Sequence, residues 1–148
     1  MASIVTLQDA TKSYQLGKVR VPALRGVGMS IGAGEFVSIA GPSGSGKTTL
    51  LNLIGCVDTP TSGTVNVGGF DIGALSERGL TELRLHVVGF IFQSFNLVNV
   101  LDVFRNVELP LLLQRVSPAA ARKERVMELL TRVGLEKLAK HRPSELSG

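Results

Sequence analysis

Residues 41–49 read Gly-Pro-Ser-Gly-Ser-Gly-Lys-Thr-Thr, and this run constrains the fold more than any other segment. It satisfies the pattern G-x-x-x-x-G-K-[ST], in which glycines let backbone N–H groups curl around phosphate oxygens. Residues 35–40 before it form a short apolar run of strand type. Residues 50–54 after it have helical character, which Gly55 would end. A strand, a glycine loop and a helix in this order predict a phosphate-binding loop in an α/β protein.

The residue types of this loop suit a Mg²⁺-bound nucleoside triphosphate. The following helix points its positive N-terminal end at the anion, and Lys47 adds a full charge at the outer phosphates. Thr48 offers a hydroxyl to Mg²⁺, which bridges the phosphates. The alternative is a glycine-rich turn with an incidental lysine, and the flanking strand and helix argue against it. The predicted contacts are Gly41, Pro42, Ser43, Gly44, Ser45, Gly46, Lys47, Thr48 and Thr49.

Composition narrows the class of protein. A hydrophobic fraction of 44% and a charged fraction of 19% are typical of a soluble globular chain, and 148 residues allow one domain with a real core. Cys56 is the only cysteine, which excludes an intrachain disulfide and favours a reducing compartment. We expect neither a signal peptide nor a membrane span. The absence of Trp argues against a base-stacking nucleic-acid platform.

The positive charge is concentrated at the C-terminal end. Residues 1–113 carry equal numbers of basic and acidic side chains, whereas residues 114–148 carry the whole net charge of +4. The favoured interpretation is the solvated faces of basic helices. A more specific interpretation is a basic surface that contacts acidic lipid or a membrane partner. Nucleic-acid binding is a third interpretation, but the segment has no aromatic residues among its basic ones to support it.

Hydrophobic patterning predicts a mixed α/β part over residues 1–94 and a mostly helical part over residues 95–148. Ser76 and Asp102 are expected to cap helices, and Pro110 to break or bend the second of them. Ser117 is expected to cap a further helix with Pro118 at its first position, and Gly134 to end it. Besides the loop strand at 35–40, the predicted strands lie at 3–15, 23–31, 64–67 and 87–92.

Motifs along the whole chain resemble the ATP-binding subunit of ABC transporters. More narrowly, they are similar to its lipoprotein-releasing and macrolide-exporter branch. The resemblance implies a P-loop NTPase of α/β class, with an N-terminal antiparallel β subdomain, a partial core sheet and a helical subdomain. It implies a single partial ATP-binding domain over residues 1–148. Residues 1–94 would form its β and P-loop core part, and residues 95–148 its helical subdomain up to the start of the signature motif. The segments that carry the resemblance are 41–49, 52–63, 88–97, 106–112 and 141–148.

The resemblance assigns roles to residues outside the loop. Tyr14 lies where the family places an aromatic ring that stacks on adenine. The alternative role for the Tyr14 side chain is packing at a strand edge. Gln93 matches the family's glutamine that reaches Mg²⁺ and the attacking water; its alternative is a polar strand end. Ser147 and Gly148 match the opening of the signature motif, which contacts the γ-phosphate bound by the opposite protomer.

The resemblance also implies partners. These are ATP and Mg²⁺, a second ATP-binding subunit in a homodimer, and an FtsX-like or MacB-like membrane permease, with no nucleic acid. The chain would lie peripherally on the cytoplasmic face of the membrane, with residues 95–116 near the permease. Arg105 departs from the family's usual Glu, and residues 99–100 depart from a Pro-containing stretch. The apolar run 109–113 is interpreted as core rather than interface.

The sequence ends at Gly148, within the signature motif, and shows no Walker B segment or switch histidine. We therefore expect a truncated chain that is marginally stable, binds Mg-ATP weakly and does not hydrolyse it. One rival interpretation is a non-catalytic nucleotide-binding or docking module. Another is a different P-loop enzyme, such as a small-molecule kinase or a DNA-repair ATPase. The spacing leaves no room for the coiled-coil insertion of a DNA-repair relative.

Overall fold

The computed structural model describes residues 3–146, and within them the chain divides between Phe90 and Ile91 into two units. The first unit contains an antiparallel sheet of four strands among the described residues, in the order β2-β1-β3-β4. The strands are β1 (Ser3–Leu16), β2 (Val19–Gly32), β3 (Ser62–Val67) and β4 (Phe70–Asp71). The strands predicted at 3–15, 23–31 and 64–67 are confirmed. Strand β2 starts earlier than predicted because it pairs with β1 as far as Val19 opposite Leu16.

Two helices share a buried core with this sheet. Helix α1 (Lys47–Ile54) ends at Gly55, and helix α2 (Glu77–His86) begins after Ser76, whose hydroxyl accepts a hydrogen bond from the Gly79 amide at 3.3 Å. Both ends were predicted from local sequence. The core of this unit combines buried residues from strands, helices and the segments after them: Val5, Leu7, Ala10, Leu24, Leu53, Cys56, Val65, Val67, Ile72, Leu80 and Leu83.

The strands predicted at 35–40 and 87–92 are wrong. Both segments run without regular secondary structure, and the side chains of Phe36 and Ile91 are almost fully exposed. A segment becomes a strand only where a neighbour completes its hydrogen-bond ladder. In residues 3–146 the sheet consists of β1 to β4, and neither segment joins it. The apolar composition of both segments is typical of buried strands, but the described sheet provides neither segment with a neighbouring strand.

The second unit is helical. Helix α3 (Val103–Leu113) and helix α4 (Ala119–Arg132) pack together, followed by short 3₁₀ turns at Glu136–Leu138 and Pro143–Glu145. Asp102 caps α3 as predicted, its carboxylate accepting from the Arg105 amide at 2.7 Å. The buried centre is Val103, Val126 and Leu130, and the residues packed against it are Phe104, Val107, Leu111, Met127, Leu135, Ala139 and Leu146.

Three helix predictions in this unit need correction. The break predicted at Pro110 does not occur, because α3 continues to Leu113 and the Pro110 carbonyl still accepts from the Gln114 amide at 2.9 Å; a bend at Pro110 stays a prediction. Helix α4 starts at Ala119 with Pro118 as its N-cap, so Ser117 provides no side-chain cap. In the run 109–113, Leu111 packs on the core while its two successors are 45% and 61% exposed, because helical periodicity turns them away.

The helices of residues 3–146 lack the combined length and apolar character that a bilayer-spanning helix requires.

Candidate phosphate-binding site

The glycine-rich loop lies between the irregular segment that ends at Ala40 and the first turn of α1. Gly46 is the N-cap of α1 and has a φ of 90°, a conformation that favours glycine. A Cβ atom at this position would lie 2.6 Å from the Ala23 carbonyl oxygen and 2.9 Å from Cδ2 of Leu24. Glycine therefore allows the loop to rest directly on β2, which fixes where α1 begins.

Lys47 folds back over this loop. Its ammonium group donates hydrogen bonds to the carbonyl oxygens of Gly41 at 2.9 Å and Pro42 at 2.7 Å. It also approaches the Ser45 hydroxyl at 3.5 Å. These neutral acceptors hold the positive charge in place without neutralising it, so the ammonium group stays available to an anion.

A concavity of about 260 Å³ opens beside the loop, and its described lining includes no Asp, Glu or His side chain. The first turn of α1 likewise contains no acidic residue. The amides of a helix's first turn have no acceptor within the helix, and they carry its positive end. This donor set fits a phosphate group, and the Thr48 hydroxyl fits a Mg²⁺ ion bound beside it. The lining residues are Ala23, Ser43, Gly44, Gly46, Lys47, Thr48 and Thr49.

Tyr14 lies in β1 opposite Val21 and is held by a polar cluster that sequence reasoning missed. Its hydroxyl donates to Oδ2 of Asp58 at 3.1 Å, and the Lys12 ammonium lies 5.3 Å from the ring centroid. Lys12 also forms an ion pair with Asp58. The sequence did contain a signal for the contact between Lys12 and Tyr14. Lys12 lies two residues before Tyr14, and alternate residues of a strand lie on the same face.

The environment of Asp58 favours its ionised form. Partial burial by itself raises the pKa of this carboxyl group. The hydrogen bonds from Lys12, the Thr59 amide and the Tyr14 hydroxyl, together with the charge of Lys12, outweigh burial and lower the pKa. Asp58 is therefore a charged anchor rather than a proton carrier near neutral pH.

The remaining predicted site residues lie in the second unit or outside the described residues. Gln93 lies in an exposed bend of the second unit, whereas the loop and Tyr14 belong to the first. Ser147 and Gly148 lie outside the described residues. The structure thus places residues 41–49 and Tyr14 in the first unit. The binding roles of these residues, and those of Gln93, Ser147 and Gly148, stay predictions.

Comparison with known proteins decides the family. The family described as ABC transporter matches residues 24–148, most of the chain. This chain belongs to the ABC transporter family. An ABC transporter ATP-binding protein of Thermotoga maritima is 47% identical over 148 residues, which are all of this chain and 63% of that protein. The lipoprotein-releasing ATP-binding protein LolD 1 of Rhodopseudomonas palustris is 42% identical and is matched over 66% of its length by all of this chain.

The structural comparison agrees with this assignment. The ABC cassette MJ0796 of Methanocaldococcus jannaschii, described as a dimer bound to ADP and Pi, has a TM-score of 0.86 and 43% identity. The match covers 97% of this chain and 63% of that one. The macrolide export ATP-binding/permease protein MacB of Marinobacter nauticus is 44% identical over 98% of this chain and 22% of its own length. The chain thus spans about 63% of the length of the separate ABC ATP-binding proteins it matches. The fold class and family predicted from the sequence are confirmed.

Proposed function

We propose that this chain binds Mg-ATP through residues 41–49 as part of an ABC transporter ATP-binding subunit. The observation that carries the proposal is the position of Lys47, held by the carbonyls of Gly41 and Pro42 at the start of α1. No acidic side chain of the described lining opposes its charge. A triphosphate entering the concavity gains the first-turn amides and this ammonium together.

The other predicted site residues receive roles within this proposal. Thr48 would be a Mg²⁺ ligand, with Gln93 as the second candidate, and the ion would neutralise charge on the phosphates. The Tyr14 ring would stack on adenine. Ser147 and Gly148 would reach the nucleotide of a second protomer.

We further propose a homodimer that works with an FtsX-like or MacB-like permease on the cytoplasmic face of a membrane and drives export or extraction of a substrate. Support for the dimer comes from the relative described as dimeric with ADP and Pi. Support for the permease comes from a relative whose name joins ATP-binding and permease functions. Within the chain, residues 1–94 would hold the nucleotide and residues 95–116 would lie near the permease. The exposed Arg105 on α3 would add positive charge to that segment.

A non-catalytic role for the 148-residue chain is the second candidate. Hydrolysis needs a group that orients or deprotonates water beside the γ-phosphate. The described residues around the concavity offer hydroxyls, amides and an ammonium group, but neither a carboxylate nor an imidazole. We therefore propose that this chain by itself binds Mg-ATP without measurable turnover.

Binding of Mg-ATP, followed by calorimetry, tests the first candidate. Lys47→Ala should lower the affinity at least about tenfold, because a charge-assisted contact contributes about 1.5–3 kcal/mol. Lys123→Ala, which removes an exposed lysine of α4, is the matched control and should leave the affinity unchanged. Equal affinities of wild type and Lys47→Ala would refute the proposal. Phosphate release by the wild type that disappears in Lys47→Ala would refute the non-catalytic candidate.

A further inference from the structure

The polar cluster around Tyr14 joins β1 to the turn that follows α1. Asp58 accepts hydrogen bonds from the Tyr14 hydroxyl at 3.1 Å and from the Thr59 amide at 2.8 Å, and it pairs with the Lys12 ammonium. Lys12 donates a second hydrogen bond to the Thr59 carbonyl at 2.8 Å. The side chains of Lys12 and Asp58 are only 12% and 26% exposed, so solvent screens their attraction less than that of a surface pair. We call Lys12, Tyr14 and Asp58 the tyrosine clamp.

The tyrosine clamp is tied to the C-terminal end of α1. The amides of Val57 and Asp58 both donate to the Asn52 carbonyl, at 2.8 and 3.2 Å. Asp58 is therefore fixed to the same helix whose first residue is Lys47. An eight-residue helix is a rigid rod about 12 Å long, so its two ends keep a constant separation.

The clamp is also tied to the strand that supports the glycine loop. Lys12 lies opposite Leu24 in the β1–β2 ladder. Leu24 and the Ala23 carbonyl are the groups that a Cβ at Gly46 would meet at 2.9 and 2.6 Å. The Tyr14 ring is thus connected to the loop through β2 as well as through α1.

We propose that Lys12 and Asp58 are positioning residues that hold the Tyr14 ring at a fixed place and tilt for the base of the bound nucleotide. The inference rests on the proposed function, because it takes residues 41–49 as the triphosphate site. Lys12 occupies one side of the ring and Asp58 fixes its hydroxyl end, so the ring loses little freedom when a base stacks on it. Neither residue needs to touch the nucleotide.

The experiment compares a ligand that has a base with one that lacks it. Calorimetry measures the affinities of Mg-ATP and Mg-tripolyphosphate for wild type, Asp58→Asn, Tyr14→Phe and Tyr14→Ala, because the two Tyr14 variants contain no tyrosine whose fluorescence could follow binding. Tyr14 is the only tyrosine and Trp is absent, so tyrosine fluorescence reports this ring alone. Asp71→Asn is the matched control, because that carboxylate accepts from the Gly73 amide beside β4 and takes no part in the clamp.

We expect Asp58→Asn and Tyr14→Phe to weaken Mg-ATP binding by about three- to tenfold, the effect of losing one or two hydrogen bonds that preorganise the ring. Tyr14→Ala should weaken it by about tenfold or more, because stacking itself is lost. Mg-tripolyphosphate affinity should stay within about twofold in every variant. Mg-ATP should quench the fluorescence of the wild type, and Mg-tripolyphosphate should leave it unchanged. A merely structural role would lower both affinities together.

The outcomes distinguish a failure of the tyrosine-clamp proposal from a failure of the proposed Mg-ATP binding. If wild type binds neither ligand, the proposed function and the clamp are both wrong. If Tyr14→Ala leaves Mg-ATP affinity unchanged, Tyr14 is not the base platform. If Tyr14→Ala weakens Mg-ATP binding while Tyr14→Phe and Asp58→Asn do not, the ring is used but the clamp does not position it. Should Asp58→Asn fail to fold, Tyr14→Phe decides alone, because it keeps the ring and loses only the contact with Asp58.

Discussion

Replacing Gly46 by alanine tests whether the glycine loop is held against β2. The substitution adds one methyl group at a φ of 90°, where it would meet the Ala23 carbonyl oxygen at 2.6 Å. Gly44 offers the matched control within the same loop. It has a φ of 77°, and a Cβ there would find nothing within 4 Å. The two substitutions share the conformational cost and differ in the contact.

The contact sets the difference in magnitude. An L-residue in the left-handed region costs about 1–2 kcal/mol, and we expect this loss in both variants. At Gly46, strand β2 or the loop must also move until the contact lengthens from 2.6 Å to at least 3.0 Å, the shortest that Cβ atoms ordinarily show. Because the obstacle is backbone, this overpacking adds about 1–3 kcal/mol. Gly46→Ala should therefore lose about 2–5 kcal/mol and Gly44→Ala about 1–2 kcal/mol.

Urea unfolding followed by tyrosine fluorescence measures these losses, because Tyr14 lies in β1 of the first unit. The free energy of unfolding should fall further in Gly46→Ala than in Gly44→Ala, with equal dependence on urea concentration. Equal losses, within about 0.5 kcal/mol, would show that the loop does not rest on Ala23 and would refute the packing described above.

Two other predictions concern side-chain anchors. The pKa of Asp58 is lowered in the fold, so the ionised carboxylate stabilises the fold fully above about pH 4, and this stabilisation is lost as pH falls through the folded-state pKa. In an acid titration, the free energy of unfolding of wild type should therefore fall more steeply below about pH 4 than that of Asp58→Asn. Parallel curves would contradict this expectation. Asn106 bonds Val98 through both its amide oxygen and nitrogen at 2.8 and 3.2 Å, and the Leu101 carbonyl at 3.1 Å. Asn106→Ala should cost about 2–3 kcal/mol of local stability and speed hydrogen exchange at the Val98 amide, whereas unchanged exchange would show that another contact holds this loop.

Features with a short-range cause were predicted well. Ser76 and Asp102 cap α2 and α3 because each side chain needs only an amide three residues ahead. The loop at residues 41–49 follows from glycines and a lysine within one turn of each other. Strand β1 followed from alternating apolar residues, and its partner β2 lies nearby in sequence. The same alternation predicted β3, although its longer ladder is with the distant strand β1.

Features that depend on a distant partner were predicted poorly. Residues 35–40 and 87–92 have the composition of buried strands, yet the described sheet gives them no ladder. Pro110 stays within α3 although proline commonly ends a helix, since its neighbour Leu111 packs on the core. The placement of Arg122 beside Glu108, at 3.1 Å, joins α4 to α3 and left no signal in either helix alone.

The sequence by itself indicated the family, the glycine loop and most of the helices and strands, because each motif or cap is recognised from residues within a few positions of one another. Tertiary structure alone decided that Gly46 rests on Ala23 and that Tyr14 is held by Lys12 and Asp58. Those contacts join strands, a helix and a turn that are separated by up to 46 positions, and only the folded backbone sets such distances. The residue types of the glycine loop are therefore evident from the local sequence. The position of Tyr14 relative to that loop depends on tertiary packing.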